Sequence, residues 1–215
     1  MFENENRVFL PVIHPVSFKA ARDSVDIAVA SKADGIFLIN QGLSTSETLK
    51  LSQEVIAKYP NLWVGLNILG YAPSDVLNII PSGIKGIWAD SIENINLSRK
   101  KTKWNGLFFG GVAFKYQKSV ALNEIPLACR EAMEFVDVIT TSGPGTGKPA
   151  SIDKIKIFRE ALGSHPLALA SGVDINNIQE YLPYVNAFLV GTSIEKEFGV
   201  LDAQKTQELS DAVHG

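Results

Sequence analysis

The sequence is poor in the residues that build covalent or metal-held frameworks. It has one cysteine, Cys129, which excludes a disulfide within the chain and a cluster of cysteine ligands. Cys129 stands in the helical-looking stretch "IPLACREAMEF" and reads as a small packing residue rather than a nucleophile. The three histidines, His14, His165 and His214, show no His-x-x-x-His or carboxylate spacing, so no metal is expected. Positive charge is not in surplus. With 20 Lys+Arg against 23 Asp+Glu the net charge is −3, and a nucleic-acid partner is not expected. No apolar run approaches the roughly eighteen residues of a membrane span, and "MFENENR" lacks the basic and apolar regions of a signal peptide. A cytoplasmic protein that does not enter a membrane is expected.

What the chain does have is a recurring apolar signal. Eight short runs rich in β-branched and aromatic residues follow one another: "RVFLPVI", "GIFLI", "LWVGLNI", "IKGIWA", "GLFFGGVA", "FVDVIT", "LALA" and "AFLVG". Their near-continuous apolarity is that of strands buried on both faces of a parallel sheet. Helical periodicity fills most of the gaps: after Phe18, the residues Ala21, Val25, Ala28 and Val29 share one face, and Ile152, Ile155, Phe158 and Leu162 do so later. Ser44 and Glu47 form a capping box, and Asp174 is placed to cap a helix after "SGV". Asp34, Asp137 and Asn186 each precede a strand, as one device reused, and Pro60, Pro81 and Pro166 punctuate helix-to-strand turns. Eight strands, the helices between them and a closing "DAQKTQELSDAV" predict an α/β fold, a single (β/α)8 TIM barrel over residues 1–215. The unit with the poorest periodicity is "SIENINLSRKKTKW".

Chemistry in such a barrel belongs at the carboxyl ends of the strands. The polar residues there are His14, Asn40, Gln41, Asn67, Asp90, Lys115, Thr140, Thr141 and Ser171, whereas His165 precedes a strand and His214 lies in the tail. Two glycine junctions follow strands 7 and 8, in "SGVDIN" and "VGTSIEKE". Glycine allows close backbone approach and a helix start points N–H groups at an anion, so Ser171, Gly172, Gly191 and Thr192 are read as a phosphate site, with "TSIEKEF" as a short extra helix. Plain turns are the alternative. "TSGPGTGKPAS" fails as a nucleotide P-loop because Ser142 and Pro149 stand where Gly and Ser/Thr are needed. It is expected to be a mobile loop closing over the ligand, with Gly145, Gly147 and Lys148 near the anionic group, or else a plain connection. Asp90 suits a general base or hydroxyl anchor, with a helix cap as the alternative. Lys115 suits a Schiff base or an electrostatic partner for developing charge, Asn67 a positioning role, and His14 either an acid–base role or a structural one beside Pro15.

At these residues the chain resembles the BtpA/SgcQ family of TIM barrels. "TTSGPGTGKPASIDKIKIFREA" is similar to that family's T-G-x-x-T-G-x-P loop and following helix, and "ASGVDINNIQEYLPYVNAFLVGTSI" to its S-G-V and V-G-T segments. "VGLNIL", with Asn67, resembles its V-G-V-N-V-L strand, and Lys115 matches the lysine of its D-V-K-H-A motif, although Ala113 and Tyr116 replace the flanking Asp and His. The resemblance implies a phosphate-binding barrel. Some family members sit among sugar-metabolism genes and one is associated with photosystem I assembly. Two functions are therefore expected as alternatives. The first is an enzyme, an isomerase, lyase or transferase without a cofactor, acting on a sugar phosphate or phosphoribosyl compound. The second is a non-catalytic assembly factor built on the same barrel. Self-association as a homo-oligomer is left open.

Overall fold

The computed structural model of the protein describes residues 7–92 and 104–215. Eight parallel strands close into a barrel in chain order: β1 (Val8–Ile13), β2 (Gly35–Ile39), β3 (Trp63–Asn67), β4 (Gly86–Ala89), β5 (Leu107–Gly111), β6 (Val138–Ser142), β7 (Leu167–Ala170) and β8 (Ala187–Val190). Each falls on one of the expected runs, β6 reaching two residues further. Closure comes from β1, which pairs Ile13 with Leu38 of β2 and Val8 with Ala187 of β8. Outside the barrel lie α1 (Phe18–Ala30), α2 (Thr45–Lys58), α3 (Pro73–Ile79), α4 (Ile125–Met133), α5 (Ile152–Leu162), α6 (Ile178–Tyr181) and α7 (Ala203–His214). The poorly periodic "SIENINLSRKKTKW" lies mostly outside the described residues.

Two apolar layers follow from strands buried on both faces. The outer layer packs Ala21, Val25 and Ala28 of α1 and Ile155, Phe158 and Leu162 of α5 against the strands. Cys129 of α4 is buried there too, and burial pushes its thiol up to about 12, which suits packing rather than nucleophilic chemistry. The barrel interior is uneven. Phe37 makes edge contacts with Trp63, Trp88 and Phe109 on one side, while β7 and β8 supply Ala168, Ala170 and Ala187 on the other. Glycine makes room for the large rings: a Cβ on Gly86 would come within 2.2 Å of the Trp63 indole.

The recurring residue before a strand has a clear task at the amino end of the barrel. Asp34 Oδ2 accepts the Phe9 N–H at 2.7 Å, Asp137 Oδ2 accepts the Phe108 N–H at 2.8 Å, and Asn186 Oδ1 accepts the Leu167 N–H at 3.0 Å. In each case the same residue's own N–H donates back to that partner's carbonyl, so two bonds join the start of a strand to the preceding one. His165 lies at this end, as its place before β7 required, and its carbonyl accepts from Arg159 at 2.6 Å. His214 is also here, paired with Asp34 at 2.9 Å.

Two local expectations need correction. The Ser44–Glu47 capping box is present, but Asp174 does not cap α6 itself: its carboxylate accepts the N–H groups of Asn176 and Asn177, closing the turn before a helix that starts at Ile178. "TSIEKEF" is not a helix. A 3-10 turn spans only Thr192–Ile194, and the chain then forms a hairpin of β9 (Glu195–Glu197) and β10 (Val200–Leu201). Gly199, at φ +77, supplies the left-handed residue that this tight reversal needs.

Candidate functional site

Side chains of a strand alternate between faces, so inward residues at the carboxyl ends converge above the barrel core. One cavity of about 490 Å³ lies there. Its wall includes Asp90, Lys115, Ser171, Gly172, Gly191 and Thr192, all of them sequence-derived candidates. His14, Gln41 and Gly147 also reach it. Asn67 lines an adjoining recess of about 330 Å³, which shares Leu69, Trp88 and Asp90 with the main cavity.

Lys115 is the best-defined cation of this wall. Its ammonium donates to Ser171 Oγ at 2.5 Å and to Thr146 Oγ1 at 3.2 Å, which brings positive charge to the β7 junction. Burial pushes its pKa down, and the Asp90 carboxylate acts in the opposite sense. Asp90 shows the mirror image: burial raises its pKa, while the Asn67 amide, donating to Oδ1 at 3.2 Å, and the Lys115 charge lower it. A carboxyl and an ammonium, each made easier to neutralise by burial, are thus coupled across one cavity, a pattern common at sites of proton transfer.

Other candidates have structural duties. Asn40 donates to Thr45 Oγ1 and Leu69 O and accepts the Leu69 N–H at 2.6 Å, which ties two strand ends together. Thr140 and Thr141 are buried within β6. In the loop after β6, Gly147 lines the cavity, whereas Gly145 and Lys148 do not form part of its wall. The foot of this loop is pinned: a Cβ on Gly143 would lie 1.9 Å from the Lys148 carbonyl, and one on Gly172 would lie 2.3 Å from it. At the tip, a Cβ on Gly147 would meet nothing within 4 Å.

Several further side chains stand at or beside the cavity. Glu195 is buried and bonds His14 Nδ1 at 2.7 Å. Trp88 lines the cavity, and its buried Nε1 has no hydrogen-bond partner among the described residues. The Tyr116 hydroxyl accepts the Thr146 N–H at 3.1 Å, linking the β5 and β6 loops. Lys154, in the first turn of α5, donates to the Ala113 and Ser142 carbonyls at 2.7 Å each, and burial pushes its pKa down to about 8. Glu195 and Lys154 gave no signal because both occupy positions that read as charged surface. Among the described residues no group of three or more His, Cys, Asp and Glu could hold a metal ion, and no helix is long and apolar enough to cross a membrane.

Comparison with known proteins bears on the family and the fold. The family model described as "BtpA family" matches residues 74–215, more than half of the chain. An uncharacterised protein of Thermococcus kodakarensis is 31% identical over 82 residues, which take in 35% of this chain and 31% of that relative, so the match spans about a third of the relative's length. Among solved structures, the (S)-3-O-geranylgeranylglyceryl phosphate synthase of Thermoplasma acidophilum, in complex with sn-glycerol-1-phosphate, aligns with a TM-score of 0.70 at 13% identity over 97% of this chain and 94% of its own. The N-(5'-phosphoribosyl)anthranilate isomerase of Pyrococcus furiosus aligns with a TM-score of 0.65 at 14% identity, covering 96% and 98%. At such identities these likenesses concern the fold.

Proposed function

The chain belongs to the BtpA family, and from that premise we propose that it is an enzyme acting on a small phosphorylated metabolite, a sugar phosphate or phosphoribosyl compound. The observation that carries this reading is the convergence of Asp90 and Lys115 on the cavity that Gly172 and Gly191 line. A non-catalytic factor has no need of a desolvated acid and a desolvated ammonium on one wall. The barrel neighbours named above include proteins whose names specify phosphorylated compounds, which is consistent with an anion at the β7 and β8 junctions.

In this reading Ser171, Gly172, Gly191 and Thr192 hold the phosphate through backbone N–H groups and hydroxyls, with the Lys115 ammonium beside them. The reacting end of the ligand lies toward Asp90, which exchanges a proton or anchors a hydroxyl. Lys115 stabilises negative charge that develops on the ligand, and Asn67 orients Asp90. Gly147 covers the ligand from the loop tip, and the chemistry is that of an isomerase, lyase or transferase without a cofactor. The test is a thermal-shift screen of inorganic phosphate, pentose and hexose phosphates and phosphoribosyl compounds against their unphosphorylated counterparts. Stabilisation by phosphorylated sugars alone supports the reading. No shift from any of them, with the protein folded, overturns it.

A further inference from the structure

His14 and Glu195 form a pair that the reading above does not use. His14 follows β1 at the inward position two beyond Val12, and its ring lines the cavity against Gly191, where a Cβ would come within 2.8 Å of Cε1. Glu195 opens β9 with its side chain only 4% exposed, and its Oε1 lies 2.7 Å from His14 Nδ1. Phe198, between the hairpin strands, covers the imidazole with ring centroids 5.1 Å apart. The hairpin that replaces the expected helix thus brings a carboxylate behind the histidine and a ring over it.

This arrangement fixes the chemistry of the imidazole. A buried carboxylate needs a donor, and the neutral ring supplies one at Nδ1, which leaves the lone pair on Nε2. Once Nε2 gains a proton, the adjacent carboxylate stabilises the imidazolium. His14 follows β1 and Asp90 follows β4, three strands apart around an eight-stranded ring, so the two groups reach a bound molecule from different sides.

We propose that His14, held as the Nδ1–H tautomer by Glu195, is a proton-transferring group of this cavity that works together with Asp90, on an aldose or ketose phosphate. The proposal rests on the phosphorylated-metabolite reading and names its substrate class. Nε2 takes the proton from the carbon next to the ligand's carbonyl. The C–H electron pair moves into that carbonyl, and the carbonyl oxygen takes the proton of the Asp90 carboxyl group. The result is a neutral enediol, an imidazolium paired with Glu195, and an Asp90 carboxylate. In the second half the imidazolium returns its proton to either carbon of the enediol, and the hydroxyl on the other carbon gives its proton to the Asp90 carboxylate as the carbonyl re-forms there. Burial of Asp90 favours the protonated carboxyl that this step requires.

The experiment follows deuterium from solvent into pentose and hexose phosphates by proton NMR, for wild type, His14→Gln and Glu195→Gln, with binding measured separately by calorimetry. Wild type exchanges the carbon-bound proton. His14→Gln loses about 100-fold or more of the exchange rate, the range of general acid–base catalysis, with affinity changed less than about threefold. Glu195→Gln lowers kcat about tenfold with little change in KM. Exchange at the wild-type rate in His14→Gln, or wild type that binds a sugar phosphate without exchanging it, overturns this proposal and leaves the phosphate reading intact. Wild type that binds none of them overturns both. If the His14 variant does not fold, Glu195→Gln and carbethoxylation of wild type by diethyl pyrocarbonate decide. A His14 that reacts no faster than the half-buried His165, or an unchanged kcat in Glu195→Gln, overturns the assignment.

Discussion

Lys115 donates to Ser171 across the mouth of the barrel at 2.5 Å, joining the loop after β5 to the loop after β7 over the intervening strand. Backbone strain gathers at the same place. Ala113 (φ 47), Tyr116 (φ 62) and Ser171 (φ 71) hold left-handed conformations that non-glycine residues rarely adopt, and such strain persists where surrounding contacts over-determine it. Two loops that could have relaxed separately are held in one arrangement around the cavity.

Replacing Lys115 with Met should therefore weaken sugar-phosphate binding about tenfold or more, because a charge-assisted contact is lost while the aliphatic volume stays. The melting temperature should hold or rise, since a desolvated ammonium has been removed. Gly191→Asp should abolish binding without unfolding the chain: the new Cβ meets the edge of the His14 ring, a side chain that can shift, and the carboxylate repels an anion. Calorimetric titration together with circular dichroism checks both. Unchanged affinity in Gly191→Asp would remove the phosphate site from this junction.

Asp90 should cost stability at neutral pH. Its pKa is raised in the folded protein, so between the unfolded value near 3.8 and the folded value the native state holds more protons, and stability falls as pH rises through that window. Asp90→Asn should then melt higher than wild type at pH 7, with the gap closing toward pH 4, while losing activity. Thermal melts of both proteins across this range, with the gap absent at neutral pH, would refute the assignment.

Lys154 gives the opposite slope. With a folded pKa of about 8 against 10.5, the unfolded chain binds more protons between these values, so the penalty of the buried ammonium is full below about pH 8 and fades as pH rises toward 10.5. The stability of wild type relative to Lys154→Met should increase across that interval. The two carbonyls at 2.7 Å favour the charged form, so a flat difference would mean that they hold the ammonium as well as water does.

At the other end of the barrel, Asp137→Ala removes the acceptor of the Phe108 N–H, and leaving a buried donor unmet costs about 1–3 kcal/mol. For a chain of this size that corresponds to a fall of roughly 3–10 °C in Tm. Ligand affinity should not change, because the site lies at the carboxyl ends. Calorimetric melting of the variant with and without the best ligand separates the two effects.

The barrel was legible because its strands are apolar on both faces, which shows in eight runs whatever the loops do. The cavity was partly legible for a related reason: strand ends locate Asp90, Lys115, Ser171 and Gly191 without any knowledge of their partners. Glu195 was not. Ile194 and Phe198 stand four apart and imitate a helical face in "TSIEKEF", yet Ile194 is buried in the core while Phe198 is 53% exposed at the mouth. Nothing within "TSIEKEF" distinguishes that hairpin from a helix turn, and the histidine that Glu195 bonds lies 181 residues away in sequence. Lys154 was hidden in the same way, since a lysine in the first turn of an amphipathic helix ordinarily faces water.

The Lys148–Pro149 peptide is wedged between Gly143 and Gly172, neither of which has room for a Cβ. The β6 and β7 rims are therefore braced on one shared peptide. Thr146, at the tip of the loop after β6, is held by Lys115 and Tyr116. A side chain placed at Gly143 would therefore disturb the β7 rim as well as its own.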